Sequence, residues 1–253
     1  ENCSLQYKFF KELGFTRVRT GATLFGTLVH ETIEDVHRAA MRHEEFNITP
    51  ENVRQWLDAN YSTLSKREHS YLGEKQIDAA YAQVLRYVNR MESGVGLMSG
   101  GERQEAFWKH IQDAEVDVSL VKPDYILQGT VDLISTDGET VEIVDFKSEK
   151  KPELLMDSNS LNRYKRQLEV YAHLVEEKTG KKVSRMHLYY TGEENGKPII
   201  TFEKSKDSID TTIREFDEVV KKIQNHDFSK EAENKKTCRE CDMRYYCGKV
   251  KKN

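Results

Sequence analysis

Two short segments, Gly129-Thr-Val-Asp132 and Val144-Asp145-Phe146-Lys147, flank an Asp137-Gly138 pair, and together they constrain this chain more than any other feature. Asp-Gly is a preferred pair for a two-residue hairpin turn. With those residues as the turn, Thr136 pairs with Glu139, and Asp132 stands opposite Ile143. Because side chains alternate across a strand, Asp132 then shares a face with Ile143, Asp145 and Lys147. Asp132 and Asp145 become diagonal neighbours with Cβ atoms ~7–8 Å apart or somewhat less. That is close enough for both to reach one hard cation at ~2.0–2.1 Å per bond.

Two carboxylates and an ammonium on one face of a central hairpin are costly in a protein interior. A divalent cation offsets the repulsion, and a phosphate held by that cation gives Lys147 a partner. The chemistry this suits is metal-assisted phosphodiester hydrolysis, with the lysine orienting water or stabilising developing charge. A lone D-x-K in a strand is ordinary solvated surface; the G-x-x-D across the hairpin sets this one apart.

The rest of the chain fits a mixed α/β fold. Hydrophobic periodicity predicts helices over about 23–41, 50–60, 74–91, 161–178 and 207–224, the second announced by the cap and first-turn pair Thr49-Pro50. Strands are expected near 116–120, 125–127, 129–134, 141–147, 187–190 and 199–202, and Ser93–Gly96 with Ser99–Gly101 read as punctuation. The expected organisation is one domain over 1–253, with a helical insertion at about 42–100. A core at about 110–205 and a C-terminal helix with a cysteine cluster at about 206–253 complete it. The 39 basic and 43 acidic residues leave a net charge of −4, which excludes a blanket of positive charge but allows a local basic channel. No apolar run approaches the ~18 residues of a membrane span. The chain opens Glu1-Asn2-Cys3 without Met or a signal-peptide core, so it is expected to be a piece of something longer, with a cytoplasmic setting.

Further residues gather around the hairpin. His30 falls on the edge of a helix face made by Phe25, Val29, Ile33 and Val36, and could project toward a site. His37, on the same edge, reads as a partly exposed polar residue. A zincin motif fails because position 34 is Glu. A zinc hydrolase built on His30, Glu31 and Glu34 would leave the D-x-K hairpin unexplained. Gln167 lies inside the stripe Tyr164, Leu168, Tyr171, Leu174, Val175, where an amide must find partners. Arg163, Lys165 and Arg166 add positive charge suited to a phosphate backbone.

The four cysteines are lopsided: Cys3 at one end, and Cys238, Cys241 and Cys247 as C-x2-C-x5-C at the other. Four such thiolates can hold Zn²⁺ or an iron–sulfur cluster, and the spacing does not separate the two. Either centre would staple the termini together, serving stability rather than bond cleavage. Lys235, Lys236, Arg239, Arg244, Lys249, Lys251 and Lys252 outnumber Glu233, Glu240 and Asp242 around the late cysteines, an excess that could contact DNA.

Taken together, His30, Glu115, Gly129 with Asp132, Asp145 with Lys147, and Gln167 with Tyr171 resemble the RecB-like branch of the PD-(D/E)XK nuclease superfamily in order and approximate spacing. The cysteines resemble those of its iron–sulfur subset, which includes AddB-like nuclease domains. The resemblance implies a restriction-endonuclease-like mixed sheet flanked by helices, with a helical insertion and a cysteine-ligated [4Fe–4S] cluster joining the termini. It implies Mg²⁺ or Mn²⁺ held by His30, Asp132, Asp145 and the Phe146 carbonyl, and Lys147 as the catalytic lysine. Gln167 and Tyr171 would position substrate or lysine, and Glu115 would be an additional acidic site residue. The implied activity is a DNA exonuclease on single strands or strand ends, in DNA repair or recombination. The implied setting is a module behind a UvrD-like helicase. No G-x-x-x-x-G-K-[ST] occurs here, so the motor is expected on a longer chain or a partner. The alternative is an inactive DNA-binding or structural module, which would be expected to have lost part of the Asp132/Asp145/Lys147 set.

Overall fold

The computed structural model describes residues 3–17, 20–93, 107–136, 138–153, 158–229, 232, 235–239 and 241–247. The Gly-rich stretch beyond Ser93, Asp137 of the expected turn, and Glu233, Glu240, Lys249, Lys251 and Lys252 lie outside the described residues. In chain order the elements are α1 (Ser4–Tyr7), a π-helical turn (Lys8–Glu12), α2 (Gly21–Met41), α3 (Pro50–Glu68), α4 (Glu74–Glu92), β1 (Ile111–Val121), β2 (Ile126–Thr136) and β3 (Val141–Lys147). They continue with α5 (Ser158–Thr179), β4 (Val183–Tyr190), β5 (Ile199–Glu203), α6 (Lys206–Gln224) and α7 (Lys235–Arg239). The chain divides into two compact units. One spans Thr20–Thr212, and the other brings Glu1–Arg19 together with Ile213–Asn253.

Among the described residues, the sheet of the larger unit runs β1-β2-β3-β4-β5. Its pairs are antiparallel except for the parallel β3–β4 pair, which α5 connects. A parallel pair needs a crossover, and the helical pattern around Gln167 supplies it. The mixed α/β architecture is the expected one.

The β2–β3 register differs from the expected one. Thr136 pairs with Val141, and Ile134 stands opposite Ile143. The connection is longer than a two-residue turn because the Thr136 side chain closes it: its hydroxyl accepts the Gly138 N–H at 3.0 Å and donates to the Thr140 carbonyl at 2.9 Å. The ladder is thus displaced by two residues, a full side-chain period, so every residue keeps its face. Asp132 and Asp145 still share the Ile134/Ile143 face. They come directly opposite one another, one step past the last pair, Leu133 with Val144.

Each face of the sheet has its own apolar packing. Leu133, Val144, Phe146 and Tyr189 join Leu28, Val29, Ile33 and Val36 of α2, with Leu57 of α3 and Val84 and Tyr87 of α4. The inserted helices are therefore part of the sheet's own core. On the other face α5 contributes the fully buried Leu168, Ala172 and Val175. Thr49 caps α3 as expected, accepting the Asn52 N–H at 3.2 Å, but the helix continues past Asn60 to Glu68, because Leu57 and Leu64 go on burying one face.

His37 is 1% exposed rather than partly exposed. Its Nε2 is 2.7 Å from the Tyr87 hydroxyl, and its ring lies 5.6 Å from that of Phe146. Burial drives its pKa down to about 3, so it is a neutral core residue.

Candidate active site

Phe146 fixes the direction of its neighbours. Its ring packs edge-on against Tyr87, with centroids 5.3 Å apart, and beside Tyr189 at 5.6 Å. With Phe146 held in that aromatic cage, alternation sends Asp145 and Lys147 to the α5 side of the sheet. There the Gln167 amide lies 3.3 Å from Asp145 Oδ1 and donates to the Tyr171 hydroxyl at 2.9 Å. The polar residue inside the apolar stripe thus has its partners, and one of them is the site itself. Asp145 Oδ2 pairs with the Lys147 ammonium.

Past Leu133 and Val144 the two strands part, and the Asp132 carboxylate fills the opening. Its Oδ2 accepts the Phe146 backbone N–H at 2.7 Å. From the other layer, His30 brings Nδ1 to 3.5 Å from the same oxygen and bonds to the Phe146 backbone. His30 is aimed there by α2, whose buried Leu28, Val29 and Ile33 set the rotation of the helix. Thr20 caps that helix, accepting the Thr23 N–H at 3.2 Å.

Glu115 completes the group through an irregular backbone. Its neighbours pair in register, Ala114 with Leu133 and Val116 with Val131, but Glu115 itself has φ of +50° and drops out of the ladder. A side chain held in the left-handed region costs of order 1–3 kcal/mol, and such strain clusters at functional sites. Here it turns the carboxylate toward Asp132. One donor atom each from His30, Glu115 and Asp132 lie within 4.8 Å of one another. These side chains line an open cleft of about 500 Å³ together with Glu31, Glu34, Lys147 and Glu149.

The electrostatics are those of a site short of positive charge. Burial, and then the facing Asp145, push the Asp132 carboxyl well above its ordinary range. Burial and then Glu34 raise Glu115 to about 7. Glu34 is raised by burial despite its pairing with Arg38. Burial lowers His30, which keeps its imidazole neutral and available as a ligand. An imidazole and two carboxylates this close fit a hard divalent cation, which would reverse the repulsion that raises the acids.

The structure brings together His30, Glu115, Asp132, the Phe146 backbone, Asp145, Lys147, Gln167 and Tyr171. Asp145 stands outside the tight three-residue group, engaged by Gln167 and Lys147, while Glu115 stands inside it. Gly129 has a defined reason to be glycine: a Cβ there would lie 2.5 Å from Cε1 of Tyr171, so the tyrosine ring lies on bare backbone.

Sequence reasoning missed Tyr164, whose ring lies 4.5 Å from the Lys147 ammonium. Its signal was the i, i+3 spacing from Gln167, which puts both on one helix face. The basic run before Gln167 is partly engaged locally: Arg163 donates to Ser160 at 3.1 Å, and Lys165 lies 3.7 Å from Glu169.

In the smaller unit Cys3 precedes α1, Cys238 sits in α7, and Cys241 and Cys247 bracket a tight turn over the buried Met243. All four are half-buried, and none of them is joined in a disulfide, within the unit that brings the two ends of the chain together.

Over 173 residues, 65% of its length, the chain is 25% identical to an ATP-dependent helicase/nuclease subunit of Clostridium novyi (strain NT). The match spans only 13% of that relative. The fold resembles the crystal structure of a candidate exonuclease from Eubacterium rectale, with a TM-score of 0.57 at 14% identity over 99% of this chain and 83% of that one. The profile of the PD-(D/E)XK nuclease superfamily matches residues 1–248. A sheet that parts to expose Asp132, a D-x-K strand beside the opening and a family match over nearly the whole length lead to one conclusion: the chain belongs to the PD-(D/E)XK nuclease superfamily.

Proposed function

We propose that this chain is a divalent-metal-dependent deoxyribonuclease that hydrolyses phosphodiester bonds, acting as an exonuclease on single-stranded DNA or strand ends. The observation that carries this reading is the convergence of His30, Glu115 and Asp132 beside the Asp145–Lys147 pair. His30, Glu115 and Asp132 would hold Mg²⁺ or Mn²⁺, with Asp145 and the Phe146 carbonyl adjacent to them. Bound by these residues, such a cation would supply Lewis-acid polarisation of the phosphate ester and acidification of water.

The chain's own groups divide the remaining work. Lys147 places a positive charge where charge develops on the phosphoryl oxygens. Gln167, bonded to Tyr171 one turn along the same helix, fixes the Asp145 carboxylate. Asp132 holds the parted strands open by occupying the Phe146 N–H.

The relative's name supports a place beside a helicase, on the same longer chain or on a separate partner. The gathering of Cys3, Cys238, Cys241 and Cys247 in one unit, with no disulfide among them, supports a [4Fe–4S] cluster as the staple of the smaller unit, with Zn²⁺ as the alternative metal. The described helices include none long and apolar enough to cross a membrane.

The test is to incubate end-labelled single- and double-stranded DNA with Mg²⁺, Mn²⁺ or chelator and resolve products by length. Metal-dependent shortening from an end is expected. DNA that stays intact with either metal would overturn the reading.

A further inference from the structure

We infer that Tyr164 is a positioning residue that holds the Lys147 ammonium in line with the cleft, an inference that rests on the nuclease reading above. The Lys147 side chain is 17% exposed and its ammonium is held from two sides. The Asp145 carboxylate pairs with it on one side, and the Tyr164 ring lies 4.5 Å away on the other. A cation over an aromatic face is attracted by the ring quadrupole, and the flat ring also removes most of the rotamers open to a four-carbon stem.

Tyr164 is itself pinned. Its hydroxyl donates to Glu149 Oε1 at 3.1 Å. Burial, then the Glu149 charge, raise its pKa to about 12, so it keeps the proton it donates. The Glu149 backbone is fixed in turn by Gly192, where a Cβ would come within 2.7 Å of the Glu149 carbonyl. Thr191 donates its N–H to the Lys147 carbonyl at 2.9 Å. From α4, Arg86 reaches the Thr191 carbonyl at 3.2 Å and Arg90 the Glu194 carbonyl at 3.0 Å. The inserted helix thus braces the loop behind the lysine, while Tyr164 aims the amine in front.

A residue that aims another acts on the chemical step more than on substrate binding. Replacing Tyr164 by Leu should lower kcat about tenfold while KM for DNA stays within about twofold. Tyr164→Phe, which keeps the ring, should stay within about twofold of wild type in both. A second readout needs neither metal nor DNA. After reductive ¹³C-methylation of lysines, the Lys147 methyl resonance, assigned with Lys147→Arg, should be shifted upfield by the ring. The shift should persist in Tyr164→Phe and vanish in Tyr164→Leu.

An unshifted methyl in the wild-type protein would overturn the proposal even if Tyr164→Leu fails to fold. So would a Tyr164→Leu variant with normal kcat, or one that raises KM alone, which would mark a DNA contact. Wild-type protein that cleaves nothing would reject the nuclease reading, and the methyl resonance would still report whether the ring seats the lysine.

Discussion

The Asp132 carboxylate accepts the Phe146 backbone N–H at 2.7 Å, taking the place that a neighbouring strand's carbonyl would otherwise fill. This one bond joins fold to site. It satisfies a backbone donor where β2 and β3 part, and it leaves a half-buried carboxylate facing His30, Glu115 and Asp145. Closing the ladder by one more pair would remove the opening; widening it would orphan the donor.

Glu115 trades stability for position. Glycine adopts its φ of +50° without the Cβ penalty. Glu115→Gly should therefore stabilise the metal-free protein by about 1 kcal/mol. The same change should weaken the rise in Tm that Mn²⁺ brings. Thermal melts with and without Mn²⁺ check both. A less stable variant with an undiminished Mn²⁺ response would show that the carboxylate plays no part in holding a cation.

Glu142 makes stability depend on acid. Its Oε1 accepts from Arg185 Nε at 2.7 Å, and Oε2 is 3.2 Å from Nε2 of the fully buried His187. Burial alone would raise its pKa, but His187 and Arg185 outweigh that and hold it below its ordinary value of 4.5. A depressed acid stabilises the fold above its unfolded pKa, and that contribution is lost as pH falls through the folded value. Glu142→Gln should cost about 3 kcal/mol at neutral pH, and the gap from wild type should shrink below about pH 4.5. Urea unfolding across pH 3–7, within roughly that window, checks it. A gap that stays constant with pH would contradict the sign.

Gly129→Ala should drive its new methyl into the Tyr171 ring. Overpacking of this kind costs about 1–3 kcal/mol. Because Tyr171 is bonded to Gln167, which lies against Asp145, cleavage should fall further than stability. Parallel measurement of melting and DNA cleavage separates the two, and an active Gly129→Ala protein would detach Tyr171 from the site.

How much of this was legible follows from what each inference needed. The shared face of Asp132 and Asp145 required only the parity of the register, which survived a displacement of two residues. The register itself depended on the Thr136 hydroxyl closing the loop, a side-chain choice that Asp-Gly does not report. His37 lay at the edge of an apolar stripe, and its burial came from α4 and β3, whose Tyr87 and Phe146 no helical period of α2 can announce. Gln167 was legible because an amide among apolar residues must find partners. Tyr164 was counted with the apolar residues because a tyrosine in such a stripe looks like core. The turn of Glu115 toward Asp132 had no signal, since nothing in an alternating strand marks a positive φ.

The cysteine unit makes a spectroscopic prediction. Freshly purified protein should be brown, absorb near ~400 nm and carry about four irons, as cysteine-ligated clusters do. Cys3→Ser should lower stability more than it alters the chemistry of the cleft. Iron analysis and melting check this. Stoichiometric zinc without iron would replace the cluster with a zinc site, and a Cys3→Ser protein of normal stability and colour would count against the staple.

The most direct test of the central claim is single-turnover cleavage of end-labelled DNA by Asp145→Ala and Lys147→Ala, alongside DNA binding by the same proteins. The account predicts that Mg²⁺- or Mn²⁺-dependent hydrolysis falls by at least about 10²-fold in each while binding persists. Undiminished cleavage by either variant would contradict it.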